Sequence, residues 1–287
     1  MIKSLFRLAF VTAALVGGAA PLPLAERAHA ADASAWNGGK GTAARLIAAR
    51  ATDAAGARVL RAGVEIRLDP GWKTYWRYPG DSGVPPRFDF ARSDNVAAVT
   101  TRWPAPRAFA DADGHSIGYA GGVIFPLLVT PRDPTKPVML RLHLDYAVCE
   151  KLCVPAEAKA ELMLSGDVTG HDKALAEAEA RVPRPAQLGD DAPLSIRRVA
   201  READSRIARI LVDVAAPAGR PVELFVEGPT PDWALPLPQP IAGAPAGVTR
   251  FAFDLAGLPS DAKTEGAVLT LTAVAGDRAI EVTTRLD

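Results

Sequence analysis

The sequence carries no net charge, because Lys plus Arg and Asp plus Glu each number 33. It also has no run of basic residues and no alternation of basic with aromatic residues. A surface that binds nucleic acid needs such concentrated positive charge to neutralise phosphates. The composition therefore argues against a nucleic-acid partner, and it confines electrostatic attraction of other partners to local patches.

Long apolar runs are missing after residue 30. The longest is "VIFPLLV" at residues 123–129, which is seven residues long and contains a proline. A membrane-spanning helix needs about 20 apolar residues. We therefore predict that the mature chain has no membrane span.

Residues 1–30 have a different character. Lys3 and Arg7 precede an apolar run at residues 8–20, and the small-residue motif "AHA" ends at Ala30. This order is typical of a secretory signal peptide, whereas a membrane anchor would have a longer run without prolines close behind it. We expect cleavage near Ala30 and a mature protein that works in an oxidising compartment.

Cysteine is scarce: the only two, Cys149 and Cys153, lie in "YAVCEKLCVP" at residues 146–155. In an oxidising compartment a lone pair is joined unless a reductant acts on it. Four residues along a strand span roughly 13 Å, whereas a disulfide tolerates about 7 Å between Cα atoms, so the chain must turn between them. Closing a ring this small restricts the unfolded chain only slightly and stabilises the fold by on the order of 2 kcal/mol. A purely stabilising role for this disulfide is therefore weak.

The residues alone leave three interpretations of the pair open: a redox pair, a structural hairpin clip or a copper site. The copper site would combine C-x-x-x-C with His143, Met139 and Met163, which are close in sequence. However, His143 has the same strand parity as the charged Arg141 and Asp145. That pattern favours a solvated strand residue over a metal ligand.

Alternating apolar residues predict strands on both sides of the cysteines. In residues 61–68 and in residues 138–149, every second residue is apolar and is predicted to point into the core. Ala160, Leu162 and Leu164 show the same alternation after the cysteines. In residues 138–149, Tyr146 and Val148 are predicted to point inward and Cys149 outward. The cysteines are thus placed in a turn between two strands, and Pro155 is expected to end this turn.

The remaining pattern predicts two all-β domains. Residues 171–182, "HDKALAEAEARV", favour a helix, and the Pro-, Gly- and Asp-containing residues 183–193 favour a linker. Five short strand patterns separated by turn residues follow. We predict a first domain at 31–165, a helix and linker at 166–193, and a second β-sandwich at 194–287.

Several motifs in the first half together resemble a known family. They are "PGWKTYWRYPGDSGVPPRFDF" (70–90), "RWPAPRAF" (102–109), "DGHSIGYAGGVIFPLLV" (113–129) and the cysteine segment. In this order they are similar to the periplasmic N-terminal domain of the DsbD and ScsB membrane thiol reductases, over about residues 55–165. The cysteine spacing is shorter than in DsbD and closer to the ScsB branch, and Phe109 is the one candidate for the aromatic cap of DsbD.

The resemblance implies an immunoglobulin-like module with a protein-disulfide reductase type of activity, and together with the strand pattern it predicts two immunoglobulin-like β-sandwiches. Cys149 and Cys153 would be the catalytic pair, passing electrons from a membrane or periplasmic dithiol to thioredoxin-fold partners without a cofactor or metal. Because the sequence ends at Asp287 without a membrane domain, we expect another protein to supply the reductant. Cys153 would be the nucleophile, with Lys151 nearby favouring its thiolate.

The same resemblance nominates four neighbours of the pair, and each has an ordinary alternative. Tyr75 and Tyr146 are equally explained as core or rim aromatics, Asp111 as a solvated loop acid and His115 as an exposed loop residue. We expect the loop from residue 109 to 119 to cover the cysteines. The alternative function is a non-catalytic β-sandwich adaptor that carries a structural hairpin disulfide.

Overall fold

The computed structural model describes residues 31–54, 57–81, 83–111, 114–202, 208–255 and 258–287. The predicted signal peptide at residues 1–30 lies outside these ranges. Within them, no helix is both long enough and apolar enough to cross a membrane.

The first half of the chain is built from β-strands that form two sheets. The first sheet has the order β1-β2-β4-β10-β7, with β3 paired to β4, and the second has the order β12-β11-β5-β9-β8, with β6 paired to β11. The strands are β1 (Asn37–Gly39), β2 (Thr42–Ala48), β3 (Thr52–Ala54), β4 (Ala57–Leu68), β5 (Lys73–Gly80), β6 (Arg87–Asp89), β7 (Val96–Thr101), β8 (Arg107–Asp111), β9 (Gly114–Ala120), β10 (Gly122–Pro131), β11 (Val138–Cys149) and β12 (Cys153–Leu164).

Alternating residues of both sheets form the core between them, as the sequence pattern predicts. In β4 the inward residues are Ala62, Val64, Ile66 and Leu68, and all four are buried. In β11 the inward parity runs from Val138 to Val148, and it is buried throughout. Burying a side chain of this size contributes roughly 1.5–3 kcal/mol, so the two predicted strands are confirmed by the packing that stabilises them.

Pro155 corrects one detail of the prediction. It does not end the turn but lies inside β12, opposite Ala147 of β11. β12 is the last strand of its sheet. An edge strand tolerates proline where the missing N–H would face away from the sheet, so the ladder continues past it.

The described residues of the second half form one α-helix and two four-stranded sheets of order β13-β20-β19-β16 and β14-β15-β18-β17. The all-β prediction is therefore confirmed. The elements are α1 (Asp172–Ala180), β13 (Arg184–Pro185), β14 (Ser195–Arg201), β15 (Arg209–Ala215), β16 (Val222–Glu227), the 3₁₀ turn Pro231–Trp233, β17 (Gln239–Ile241), β18 (Val248–Asp254), β19 (Val268–Ala275) and β20 (Arg278–Arg285).

Helix α1 is docked on the first half and does more than connect the halves. Leu175 is fully buried, and a Cβ built at Gly63 of β4 would lie only 3.1 Å from its Cδ1. Arg61 of the same strand donates two hydrogen bonds to Glu179, at 2.9 and 2.7 Å. The glycine leaves room for the leucine, and the ion pair holds the end of the helix.

The predicted linker also has structure. Arg184 and Pro185 of β13 pair in parallel with Ile280 and Glu281 of β20. The two halves are in direct contact as well, since the rings of Trp76 and Phe225 lie 5.9 Å apart.

Candidate redox site

The two cysteines close the hairpin between β11 and β12. Cys149 ends β11, Cys153 begins β12, and the two are partners in the strand register. Their Cα atoms are 4.1 Å apart and their sulfurs form a disulfide. Residues 150–152 make the tight turn that the spacing predicts, so the predicted turn is confirmed.

The two sulfur-bearing residues differ in their access to solvent. Cys149 is only 8% exposed and forms a small cluster with Tyr75 and Ala147, separate from the main core. Cys153 is exposed, and Leu152 before it is 79% exposed. A partner that approaches the hairpin therefore meets Cys153 first.

Tyr75 reaches the disulfide from the neighbouring strand β5. Its hydroxyl lies 3.0 Å from Sγ of Cys153, although the residue is only 1% exposed. Gly83, with φ of +136°, lies against the ring, where a Cβ would overlap the ring atoms. The structure thus places this predicted neighbour beside the pair and holds it by close packing.

Lys73 is a neighbour that sequence reasoning missed. It is the register partner of Cys149, and cross-strand partners point to the same face of a sheet. Its Nζ donates to Oγ of buried Ser116 (2.9 Å) and lies 5.6 Å from the ring centroid of Phe109. Its position two residues before Tyr75 could have indicated that it lies near the cysteines, because residues i and i+2 of a strand share a face.

The expected loop from residue 109 to 119 is a β-hairpin. β8 and β9 pair with each other, and β9 pairs with β5, so the segment extends the sheet beside the cysteines. Gly114, with φ of +141°, lies at its turn, and such a backbone favours glycine. Phe109 reaches the site through its contact with Lys73.

Two other predicted neighbours lie at the turn of this hairpin. Asp111 ends β8 opposite Gly114, but its side chain is outside the described part of the structure. The backbone N–H of His115 donates to Oδ2 of Asp81 (2.8 Å). The hairpin therefore fixes the backbone of His115 near Asp81.

Tyr146 is a core residue, which corrects its predicted place beside the disulfide. It belongs to the main core cluster, and its hydroxyl lies 3.0 Å from Oγ1 of Thr42 in the opposite sheet. Burial raises its pKa, and the hydrogen bond with Thr42 opposes that shift. Tyr146 and Cys149 are three residues apart on one strand, so they point to opposite faces.

The geometry does not support a copper site that joins the cysteines to His143. Six residues along β11 separate His143 from Cys149, which corresponds to about 20 Å. Nε2 of His143 lies instead near Glu157 Oε1 (3.1 Å) and Asp145 Oδ1 (3.6 Å). Lys159 also pairs with Glu157 (2.7 Å), so this is a solvated cross-strand charge cluster.

The fold and the site together define an all-β protein with a disulfide at an exposed hairpin tip. Residues 44–165 match the family described as thiol:disulfide interchange protein DsbD, N-terminal. This match confirms the predicted resemblance of that segment to the N-terminal domain of DsbD. No curated protein gives a match.

A solved structure is similar over most of the chain. It is the crystal structure of the N-terminal periplasmic domain of ScsB from Proteus mirabilis, with a TM-score of 0.67 and 21% sequence identity. The alignment covers 89% of this chain and 98% of that chain. The predicted all-β, immunoglobulin-like fold is thereby confirmed.

Proposed function

We propose that this protein carries out thiol-disulfide exchange through Cys149 and Cys153 in the periplasm. It would act as a protein-disulfide reductase, taking electrons from a membrane or periplasmic dithiol and passing them to thioredoxin-fold partners. The observation that carries this proposal is the asymmetry of the pair, in which Cys153 is exposed and Cys149 is buried. A relay needs one accessible sulfur to attack and one protected sulfur to resolve.

The exchange proceeds in two displacements. The thiolate of Cys153 attacks one sulfur of the partner's disulfide, forming a mixed disulfide and releasing the partner's other sulfur as a thiolate. The thiolate of Cys149 then attacks Sγ of Cys153, which re-forms the hairpin disulfide and releases the partner's second thiolate. Two electrons move to the partner, and each released thiolate takes a proton from water.

The neighbours of the pair favour the attacking thiolate. The Tyr75 hydroxyl is within hydrogen-bonding distance of Sγ of Cys153, and a hydrogen bond to the charged form stabilises that form. The ammonium of Lys73 lies on the same face and adds positive charge near the pair.

We further propose that residues 1–30 direct export and that the mature chain has two domains, 31–165 and 194–287. The similarity to the periplasmic domain of ScsB and the separate sheets of the two halves support this. Residues 166–193 would join the domains, with α1 docked on the first and β13 added to the second.

Trapping of mixed disulfides tests the exchange. Cys149→Ser lacks the resolving thiol, so in extracts that contain the native partners it should accumulate a covalent complex through Cys153. The complex should dissociate with dithiothreitol and contain a thioredoxin-fold protein by mass spectrometry.

Cys153→Ser is the matched control and should trap little, because its remaining thiol is buried. Equal trapping by both variants would reject Cys153 as the nucleophile. If neither variant traps a partner, the disulfide is structural and the adaptor function is the better account.

A further inference from the structure

The pairing of strand β5 with β9 is interrupted directly after Tyr75. Tyr75 pairs with Gly118 of β9, but the next pair is Gly80 with Ser116, so the register shifts between them. Residues 76–79, here named the β5 bulge, are therefore unpaired with β9. Such a bulge redirects side chains away from the regular ladder.

The β5 bulge is held by the second half of the chain. The Trp76 ring lies 5.9 Å from Phe225, and the Tyr78 hydroxyl donates to the backbone oxygen of Leu235 (3.0 Å). Burial raises the pKa of Tyr78 to about 12, so this hydroxyl stays protonated and remains a donor. These two contacts flank Arg77.

Arg77 is bound by two carboxylates of the second half. Its Nε and Nη2 donate to Glu227 of β16 at 2.9 and 2.6 Å, and Nη2 also donates to Glu281 of β20. Burial lowers the pKa of Arg77, but the hydrogen bonds and charges of Glu227 and Glu281 outweigh it and raise the pKa above its ordinary value. The fork geometry of a guanidinium matches this bidentate contact.

A second contact joins the second half of the chain to β8, the strand that carries Phe109. Oε1 of Glu223 in β16 accepts a hydrogen bond from the backbone N–H of Ala108 (3.0 Å). Ala108 belongs to β8, the edge strand of the sheet, and precedes Phe109. The second half thus contacts both β5 and β8, the strands that carry Tyr75 and Phe109.

We propose that Arg77, held by Glu227 and Glu281, is a positioning residue that fixes Tyr75 against Cys153. Arg77 lies two residues after Tyr75 inside the β5 bulge, and the second half holds this bulge through Trp76, Arg77 and Tyr78. The second half thereby sets the reactivity of the cysteine pair. This inference rests on the proposed exchange at Cys153, and it gives the cysteine-free half of the chain a role in that exchange.

A double-mutant cycle tests the inference with iodoacetamide as the probe. In the reduced Cys149→Ser protein, Cys153 is the one remaining thiol, and its alkylation rate follows its thiolate fraction. Glu227→Gln combined with Glu281→Gln should slow alkylation at pH 7 about threefold, and the same pair of changes should have no effect in Tyr75→Phe. The difference should also disappear well above the ordinary thiol pKa of about 8.5.

Equal slowing with and without the Tyr75→Phe change, or no slowing in either case, would overturn the inference. Glu65→Gln is the matched control, because it breaks the ion pair with Arg45 (2.7 Å) in the first sheet and should leave the rate unchanged. If the double variant unfolds, Glu281→Gln alone gives the same test, since that side chain is 31% exposed. Iodoacetamide reacts whether or not a protein partner exists, so failed trapping and failed positioning are distinguishable.

Discussion

The hydroxyl of Tyr75 lies 3.0 Å from Sγ of Cys153, although 78 positions separate the two residues in the chain. This contact joins β5 to the tip of the β11–β12 hairpin. It places a hydrogen-bond donor beside the exposed sulfur of the pair, where charge develops when the disulfide is reduced.

Removing that hydroxyl should slow exchange more than it destabilises the fold. Tyr75→Phe keeps the buried ring but loses the donor, and a hydrogen bond to a charged group contributes about 1.5–3 kcal/mol. We expect alkylation of reduced Cys153 at pH 7 to slow roughly tenfold, with the pH profile displaced to higher pH. An unchanged profile would show that the hydroxyl does not stabilise the thiolate.

Gly83 should be required for the position of the Tyr75 ring. Gly83→Ala adds a Cβ that overlaps this ring and a side chain at φ of +136°. We expect a loss of about 2 kcal/mol in the free energy of unfolding, measured in urea, and a change in Cys153 reactivity. Gly121→Ala is the control, because its φ is +75° but no atom lies within 4 Å of the new Cβ. If Gly83→Ala and Gly121→Ala change the reactivity of Cys153 equally, backbone strain is responsible and contact with Tyr75 is not.

Helix α1 should be held by Leu175. Leu175→Ala leaves a cavity over Gly63 and should lower the free energy of unfolding by about 2–4 kcal/mol. Limited proteolysis should then cut residues 183–193 faster, because the helix no longer anchors the start of this segment. Leu188→Ala removes a side chain that is 41% exposed and should change neither measurement much. Unchanged proteolysis in Leu175→Ala would contradict this role of the helix.

Asp213 should make the second half sensitive to acid. Its carboxylate accepts from Nε and Nη2 of Arg250 at 2.6 and 2.8 Å, and this pairing holds its pKa below the ordinary value. A depressed folded-state pKa gives stability that is present above the unfolded pKa of about 3.9 and is lost as pH falls through the folded value.

The corresponding experiment is thermal unfolding as a function of pH. Asp213→Asn should be less stable than the wild type by about 1–3 kcal/mol at pH 7, and this gap should narrow below about pH 4. Asp254→Asn is the control, since its contact with Arg209 is longer at 3.6 Å and exposed. If the stability difference between the wild type and Asp213→Asn stays constant down to about pH 2, Asp213 is not the source of the acid sensitivity.

Alternating apolar residues were sufficient to predict the main strands. β11 buries every second residue from Val138 to Val148, and β4 does so from Leu60 to Leu68, so their pattern follows from packing alone. The same alternation places Tyr146 inward and Cys149 outward, so it already indicated that the two side chains are not in contact. The five strand patterns predicted after residue 193 correspond to β15, β16, β18, β19 and β20. β14 was not predicted, because Arg197, Arg198 and Arg201 interrupt its apolar pattern.

The contacts of the redox site were less accessible to prediction. Tyr75 was nominated by resemblance, but its distance from Cys153 depends on the order of strands in the sheet, which local patterns do not specify. The ion pairs of Arg77 with Glu227 and Glu281 join residues of β5, β16 and β20. Such long-range ion pairs leave no periodic signature in the sequence.

The reduction potential of the Cys149–Cys153 pair tests the central claim most directly. Equilibration of the protein with defined ratios of reduced and oxidised dithiothreitol, followed by alkylation and mass measurement, gives the potential. A relay should titrate near the thioredoxin value of about −270 mV or at a more oxidising potential. A potential below about −300 mV would mark a structural bond and contradict the proposed exchange.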